Sequence, residues 1–136
     1  FADPAAPGDK DSRTAKWADW LANDPASPVV KYTPADADPD SVFDVKVVYQ
    51  QDYTDVNVYD APAIFRPAVG PFDVEDTNKI YAGGLGTDIF EARGINKEDG
   101  VVVVVRPDMY VSAVLPMSAT DQLAALFDGF MIEANA

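Results

Sequence analysis

The chain has 136 residues, the length of one domain by the usual range of about 100–200 residues, and contains neither cysteine nor histidine. Those two absences exclude disulfides, C-x-x-C redox chemistry, thiolate or imidazole metal ligands and any His-dependent nucleophile. Ten basic residues against 23 acidic ones leave a net charge of −13, a negative field that repels phosphate backbones and anionic bilayers, so neither nucleic acid nor membrane is expected as a partner.

The charge is shared, −7 over residues 1–60 and −6 over 61–136, and nearly all of the surplus is aspartate. The opening Phe1-Ala2-Asp3-Pro4 has no basic n-region and no apolar h-region, so it is not a signal peptide. No apolar run approaches the roughly 20 residues of a membrane span, and a cytoplasmic location is expected. A chain that opens on Phe rather than Met is expected to be a piece of a longer polypeptide.

Pro4 to Asp11 reads as a polar loop. A helix is predicted over Arg13–Asn23, with Asp11 or Ser12 as N-cap and Trp17, Trp20 and Leu21 on one stripe, ended by Asp24-Pro25. Residues 24–41, rich in Pro and Asp, read as an irregular connection enclosing the short apolar piece Val29-Val30. Val42 to Tyr49 is β-branched, aromatic and largely apolar, the pattern of a buried strand, and the alternation of Val56, Val58 and Tyr59 suggests a second short one. Pro62, Pro67, Gly70 and Pro71 forbid regular structure up to Phe72. Lys79–Ala82 is a strand closed by Gly83-Gly84. Thr87 or Asp88 can cap a short helix running through Glu91 and Arg93 to Gly94.

Five consecutive valines, Val101–Val105, fit a central strand covered on both faces. Arg106-Pro107-Asp108-Met109 follows as a tight turn with Pro at its first central position, and Tyr110–Leu115 returns antiparallel. Pro116 breaks that strand. Ser118 and Asp121 have the S-x-x-D spacing of a capping box, ahead of Leu123, Leu126, Phe127, Phe130 and Met131 at helical spacing. Helices alternating with strands and ending in a hairpin make the fold class α/β with a mixed sheet.

Candidate chemistry is sparse. Asp36-Ala37-Asp38-Pro39-Asp40 has the spaced carboxylates of a calcium loop, but Ser41 and Val47 stand where an EF-hand needs Gly and Glu; a solvated acidic loop is the simpler reading. Gly83-Gly84-Leu85-Gly86 lies between a strand and a helix, as phosphate-cradling loops do, yet neither the G-x-G-x-x-G nor the P-loop spacing is met. Asp73, Glu75 and Asp76 offer paired carboxylates for acid/base work, which would need burial to separate their pKa values. Trp17 and Trp20 could stack on a ligand or, at helical spacing, pack in a core. Arg106 emerges from the valine strand two residues before Asp108, and a clamp of Arg106, Pro107 and Asp108 holding the turn is favoured over anion binding. No catalytic, cofactor-binding or metal-binding residue is assigned. From the residues alone, two other readings stay open: a binding module docking through the Trp17/Trp20 face or the terminal helix, and a small carboxylate enzyme.

The string Val101 to Val111, V-V-V-V-V-R-P-D-M-Y-V, resembles a signature near the C-terminus of flavoprotein aromatic hydroxylases of the phenol 2-monooxygenase type. Lys16-Trp17-Ala18-Asp19-Trp20-Leu21, Lys79–Ala82, Gly94-Ile95 and Leu126-Phe127-Asp128-Gly129-Phe130 are similar to the last domain of that family, so the resemblance covers nearly the whole of residues 1–136.

The resemblance implies a thioredoxin-like fold whose first strand is truncated at Phe1-Ala2, leaving a sheet edge unpaired. It places Pro4–Asp11 where thioredoxin carries its dithiol, and Asp99-Gly100 where thioredoxins carry a cis-proline. With no cysteine, redox chemistry of the thioredoxin kind is excluded. The implied role is a non-catalytic dimerisation domain. Its partners would be a second copy of the protein and the flavin and substrate domains of a parent enzyme using FAD and NAD(P)H. In such an enzyme the reduced flavin forms the hydroperoxide that hydroxylates a phenol, so the organic chemistry belongs to the cofactor and no residue of this chain is assigned to it.

Overall fold

Helix α1 (Arg13–Asn23) begins where Ser12 satisfies its free amides: Ser12 Oγ accepts from Ala15 N at 3.0 Å and donates to Asp9 O at 2.7 Å. In this computed structural model, which describes residues 1–133, α1 turns Trp17, Ala18 and Leu21 inward. Burying an apolar side chain of leucine size contributes about 1.5–3 kcal/mol, so this stripe fixes how the helix sits. A second helix, α2 (Pro28–Tyr32), follows within the connection that the proline content marks as irregular. Ser27 caps it through Val29 N, and Pro28 takes the first helical position, where a missing N–H costs nothing.

The strands form three ribbons. Strand β1 (Val47–Asp52) lies parallel to β4 (Ile80–Gly83), β2 (Ala68–Val69) pairs antiparallel with β3 (Val74–Glu75), and β5 (Val102–Val105) pairs antiparallel with β6 (Val111–Leu115). The N-terminal residues join the first ribbon to the last. Ala2 N donates to Val48 O at 2.9 Å. Phe1 and Val101 exchange both backbone bonds, at 2.9 and 3.0 Å, the pattern of an antiparallel hydrogen-bonded pair. The lateral order is therefore β4, β1, Phe1-Ala2, β5, β6. The expected unpaired edge at Phe1-Ala2 is absent, and β6 is the outer edge on the hairpin side.

Helix α3 (Ile89–Ala92) is capped by Asp88, whose carboxylate accepts from Phe90 N and Glu91 N, and Phe90 packs edge-on against Phe1 at 5.4 Å. Helix α4 (Thr120–Asp128) closes the fold. Leu123 joins Trp17 and Leu21 in one buried cluster, with Val102, Val104 and Leu115 from the hairpin packed against it. Val47, Tyr49, Ala61 and Phe65 form a second cluster, and Val45 and Ile64 touch both.

Six expectations are corrected. Residues 62–72 are not without regular structure: Ala63–Phe65 forms a 3-10 turn and Ala68–Val69 pairs with Val74–Glu75, because Pro62 and Pro67 sit just ahead of these pieces, where no ladder N–H is needed. Extended pairing starts at Val47, not Val42, because Phe43 leaves the strand line to stack on Phe127 at 5.1 Å. Residues 53–60 form two 3-10 turns instead of a strand, since Asp52 and Asn57 bend the backbone by accepting from Thr54 N and Tyr59 N. Helix α4 is not opened by a capping box. Buried Ala119 takes the cap position without a side-chain bond, which leaves Ser118 one residue too early. The residues of 28–32 are helical. Finally, the valine strand is not covered on both faces: Val102 and Val104 face the helices, while Val105 remains 49% exposed.

Candidate functional site

Most positions where the sequence suggests chemistry are engaged by the chain itself, while Asp36 and Asp73 stand exposed with no side-chain bond among the described residues. At the N-terminus of α1, Asp3 is 5% exposed. Its carboxylate accepts from Arg13 N at 2.9 Å and from Thr14 Oγ1 at 2.9 Å, with Arg13 Nε at 3.8 Å. The partial positive charge of the helix start is thus met by an internal carboxylate. Nearby, the Tyr49 hydroxyl is buried with no protein partner. Burial, with the Asp3 charge beside it, pushes its pKa up to about 12, so it stays a neutral phenol.

The glycine loop after β4 packs against the end of β1. Gly84 has φ +98°, and a Cβ there would lie 2.2 Å from the Asp52 carboxylate. Bonds from Thr54, through its backbone and its hydroxyl, hold Asp52 below the usual carboxylate range. A phosphate placed here would meet a fixed negative charge instead of free amides.

The acidic loop and the carboxylates around Glu75 serve as braces. Asp38 accepts from Gly70 N at 3.2 Å, and Arg66 pairs with Glu75 at 2.7 Å. Asp40, Asp44 and Asp76 converge on Lys79 Nζ at 2.9, 2.7 and 3.6 Å. The Lys79 side chain is 7% exposed. Burial alone would lower its pKa, but the bonds to Asp44 and Asp40 outweigh that and hold it above the ordinary lysine value. Lys79 also accepts Val47 N through its carbonyl at 3.0 Å, so this buried cation ties the 36–46 connection to the start of both parallel strands. Sequence reasoning missed it, because a lysine beside a strand reads as solvated. Among the described residues no three acidic side chains are grouped so as to hold a metal ion, and no helix is long and apolar enough to cross a membrane.

An apolar cleft of about 370 Å³ lies under the same connection, between Ala22, Val29, Phe43 and Ile64. Its polar groups are spent: Arg66 on Glu75 and Ala61 O, Asp40 on Lys79. Ligand sites of this size ordinarily present several convergent free polar groups. Trp17 is a core residue, 5.5 Å from the partly buried Trp20.

At the hairpin, Met109 N donates to Arg106 O at 2.9 Å and Arg106 N to Tyr110 O at 2.8 Å. Met109 takes φ +70°, and the register shifts at Val104/Val105, as in a three-residue loop closed by a bulge. Arg106 Nη2 meets Asp108 Oδ2 at 2.7 Å, both exposed. The surface around this turn carries exposed Val105, Met109, Tyr110, Val111 and Val114. This turn thus offers an apolar surface whose two charges, Arg106 and Asp108, pair with each other.

A family model described as "Phenol hydroxylase, C-terminal dimerisation domain" matches residues 1–135. The chain belongs to this family. Among relatives of this dimerisation domain, a 3-hydroxybenzoate 4-monooxygenase of Comamonas testosteroni is 42% identical over 115 residues, 82% of this chain and 18% of that protein. An FAD-dependent monooxygenase of Aspergillus terreus is 34% identical over 110 residues, 76% of the chain and 18% of the relative. A phenol 2-monooxygenase of Aspergillus fumigatus is 32% identical over 96 residues, 67% and 16% respectively. The dimerisation domain therefore spans less than a fifth of the relatives it matches.

Proposed function

We propose that the chain is the assembly domain of an FAD-dependent, NAD(P)H-using aromatic-ring monooxygenase. In this reading it pairs two copies of the enzyme, packs against the flavin and substrate domains, and contributes no group to the hydroxylation. The observation that carries the reading is the match of a dimerisation-domain family over residues 1–135, on a chain whose buried carboxylates, lysine and glycine loop are all engaged internally. The flavin, its reduction and the hydroxylation would lie in polypeptide outside these residues, consistent with the small share of each relative that the chain spans.

A thioredoxin-like architecture is part of the proposal. The lateral order β4, β1, Phe1-Ala2, β5, β6, with a terminal antiparallel hairpin and helices α1 and α4 against it, supports that assignment.

The test is to prepare the polypeptide that carries this chain with and without residues 1–136. The truncated protein should keep bound flavin and lose its dimer. Loss of flavin with retention of the dimer would overturn the reading.

A further inference from the structure

We infer that the seam between two copies is the outer edge of β6, paired antiparallel across a two-fold axis, with the exposed valines on the hairpin's outer face packed against their mates. The inference rests on the assembly reading above and names the surface that performs it.

Charge makes the first argument. Two copies each carrying −13 repel one another, so a self-association surface has to lie where that charge is missing. Residues 109–120 form the longest uncharged run in the chain, and from residue 100 to 120 the only charged residues are Arg106 and Asp108. Those two pair with each other at 2.7 Å, so this stretch presents no net charge to a copy of itself. A heterologous partner would not need such neutrality, whereas a like-charged copy does.

Backbone geometry makes the second. Among the described residues strand β6 pairs only with β5, so its other side presents N–H and C=O groups to a further strand. Edge strands are ordinarily protected by lysine, an inward charge, proline or a bulge; Val111–Leu115 has no charge and no proline, and its register shift falls at the Val111 end, leaving Ala113–Leu115 regular. An exposed, unprotected edge is a template for another strand, and an antiparallel pair of identical edges is isologous and closes on itself. Other ribbons are less suited: β3 carries Glu75 and is flanked by Asp73 and Asp76, and β4 runs into Gly83 and Gly84.

Exposure makes the third. Val111 is 59% exposed and Val114 62%; they pair with Val105 and Val103, two positions apart on β5, so the shifted register puts both on the one face of the hairpin that turns away from the helices. The outer face of the edge is therefore apolar and open, while Leu115 on the inner face packs against the helices. A stable interface buries about 800 Å² per partner, more than a five-residue edge supplies, and Val105, Met109 and Tyr110 extend the same surface.

The experiment is sedimentation velocity on the 136-residue chain over a concentration series, with Val111→Asp, Val114→Asp and, as a control at another exposed apolar position, Leu85→Asp. The wild type and L85D should dimerise, and V111D and V114D should bind about tenfold more weakly or worse with unchanged circular dichroism. Rising salt should tighten the dimer by screening the repulsion. A second readout needs no variant: hydrogen exchange at the β6 amides should slow as chain concentration rises. If the wild type is monomeric throughout, the assembly reading fails and the seam with it. If the wild type dimerises but V111D and V114D do so equally well, or the β6 amides exchange at one rate at all concentrations, or salt loosens the dimer, the seam is wrong and the assembly reading stands.

Discussion

Replacing Lys79 by methionine keeps the length of the buried stem and deletes its charge. Three carboxylates, from Asp40, Asp44 and Asp76, then face a site that has lost its cation, all having been within 3.6 Å of it. Breaking a fully buried pair costs about 3–5 kcal/mol. Asp44 is half exposed and Asp40 and Asp76 about a quarter exposed, so screening brings the expected loss to about 2–3 kcal/mol at neutral pH. For a domain of this size that lowers Tm by roughly 6–12 °C.

The pH dependence gives the sharper test. In the wild type, burial works against the charge of Asp44, but the bonds from Lys46 and Lys79 hold its carboxyl below the ordinary value of 3.8. Asp76, bonded first by Asn78 N, is also lowered. A lowered carboxylate contributes stability above its unfolded pKa and loses it as pH falls through the folded value. Lys79, whose pKa is raised, contributes below its unfolded value of 10.5 and loses that only as pH climbs above it. The cluster therefore stabilises the wild type across the whole range from about pH 4 to 10. In K79M the three carboxylates repel one another, Asp44 and Asp76 lose the cation that helped to lower their pKa values, and protonation relieves the strain. The gap in unfolding free energy between the two proteins should shrink as pH falls from 7 toward 4. Urea titrations at a series of pH values would measure it. A gap that is independent of pH, or a Tm within about 2 °C of wild type, would refute this account of the cluster.

Gly100→Ala should cost about 3 kcal/mol by thermal unfolding, since φ is +65° and the new Cβ would lie 2.8 Å from Phe1 O and 3.0 Å from Asp3 N. Gly94→Ala, at φ +64° with open space around it, should cost only about 1 kcal/mol; equal costs would mean that Phe1-Ala2 is not seated against Gly100. Ser12→Ala should lose about 1–2 kcal/mol with its cap on α1, whereas Ser118→Ala should stay within about 0.5 kcal/mol. A comparable loss at Ser118 would restore the capping box that the structure lacks.

Where the signal for an element lies inside the element, the sequence was enough. Ser12 and the Trp17/Leu21 stripe define α1, Asp88 and Gly94 bracket α3, and Arg106-Pro107-Asp108-Met109 turns the hairpin. The misses have a different physical origin. Residues 53–60 alternate like a strand, but their aspartate and asparagine side chains bond the backbone two residues on, which periodicity does not register. Phe43 is a strand-forming side chain spent on Phe127 of α4 instead of a neighbouring strand, and Val42 beside it stays exposed. The five valines describe what a strand tolerates on its faces and not what lies over them, so Val105 remained exposed against expectation. At the candidate site the Arg106, Pro107 and Asp108 turn could be read locally. The Lys79 cluster could not, because its partners come from 35 and 39 positions earlier in the chain, and the pairing of Phe1 with Val101 spans 100 residues.

The central claim is that this domain assembles copies of a protein and leaves flavin chemistry to other parts of it. Sedimentation of the purified chain with added FAD, followed at once by protein and by flavin absorbance, tests both halves. The account requires a species of twice the 14.7 kDa chain mass that carries no flavin with it; a species that remains at the single-chain mass at every concentration, or one that sediments with bound flavin, would contradict it.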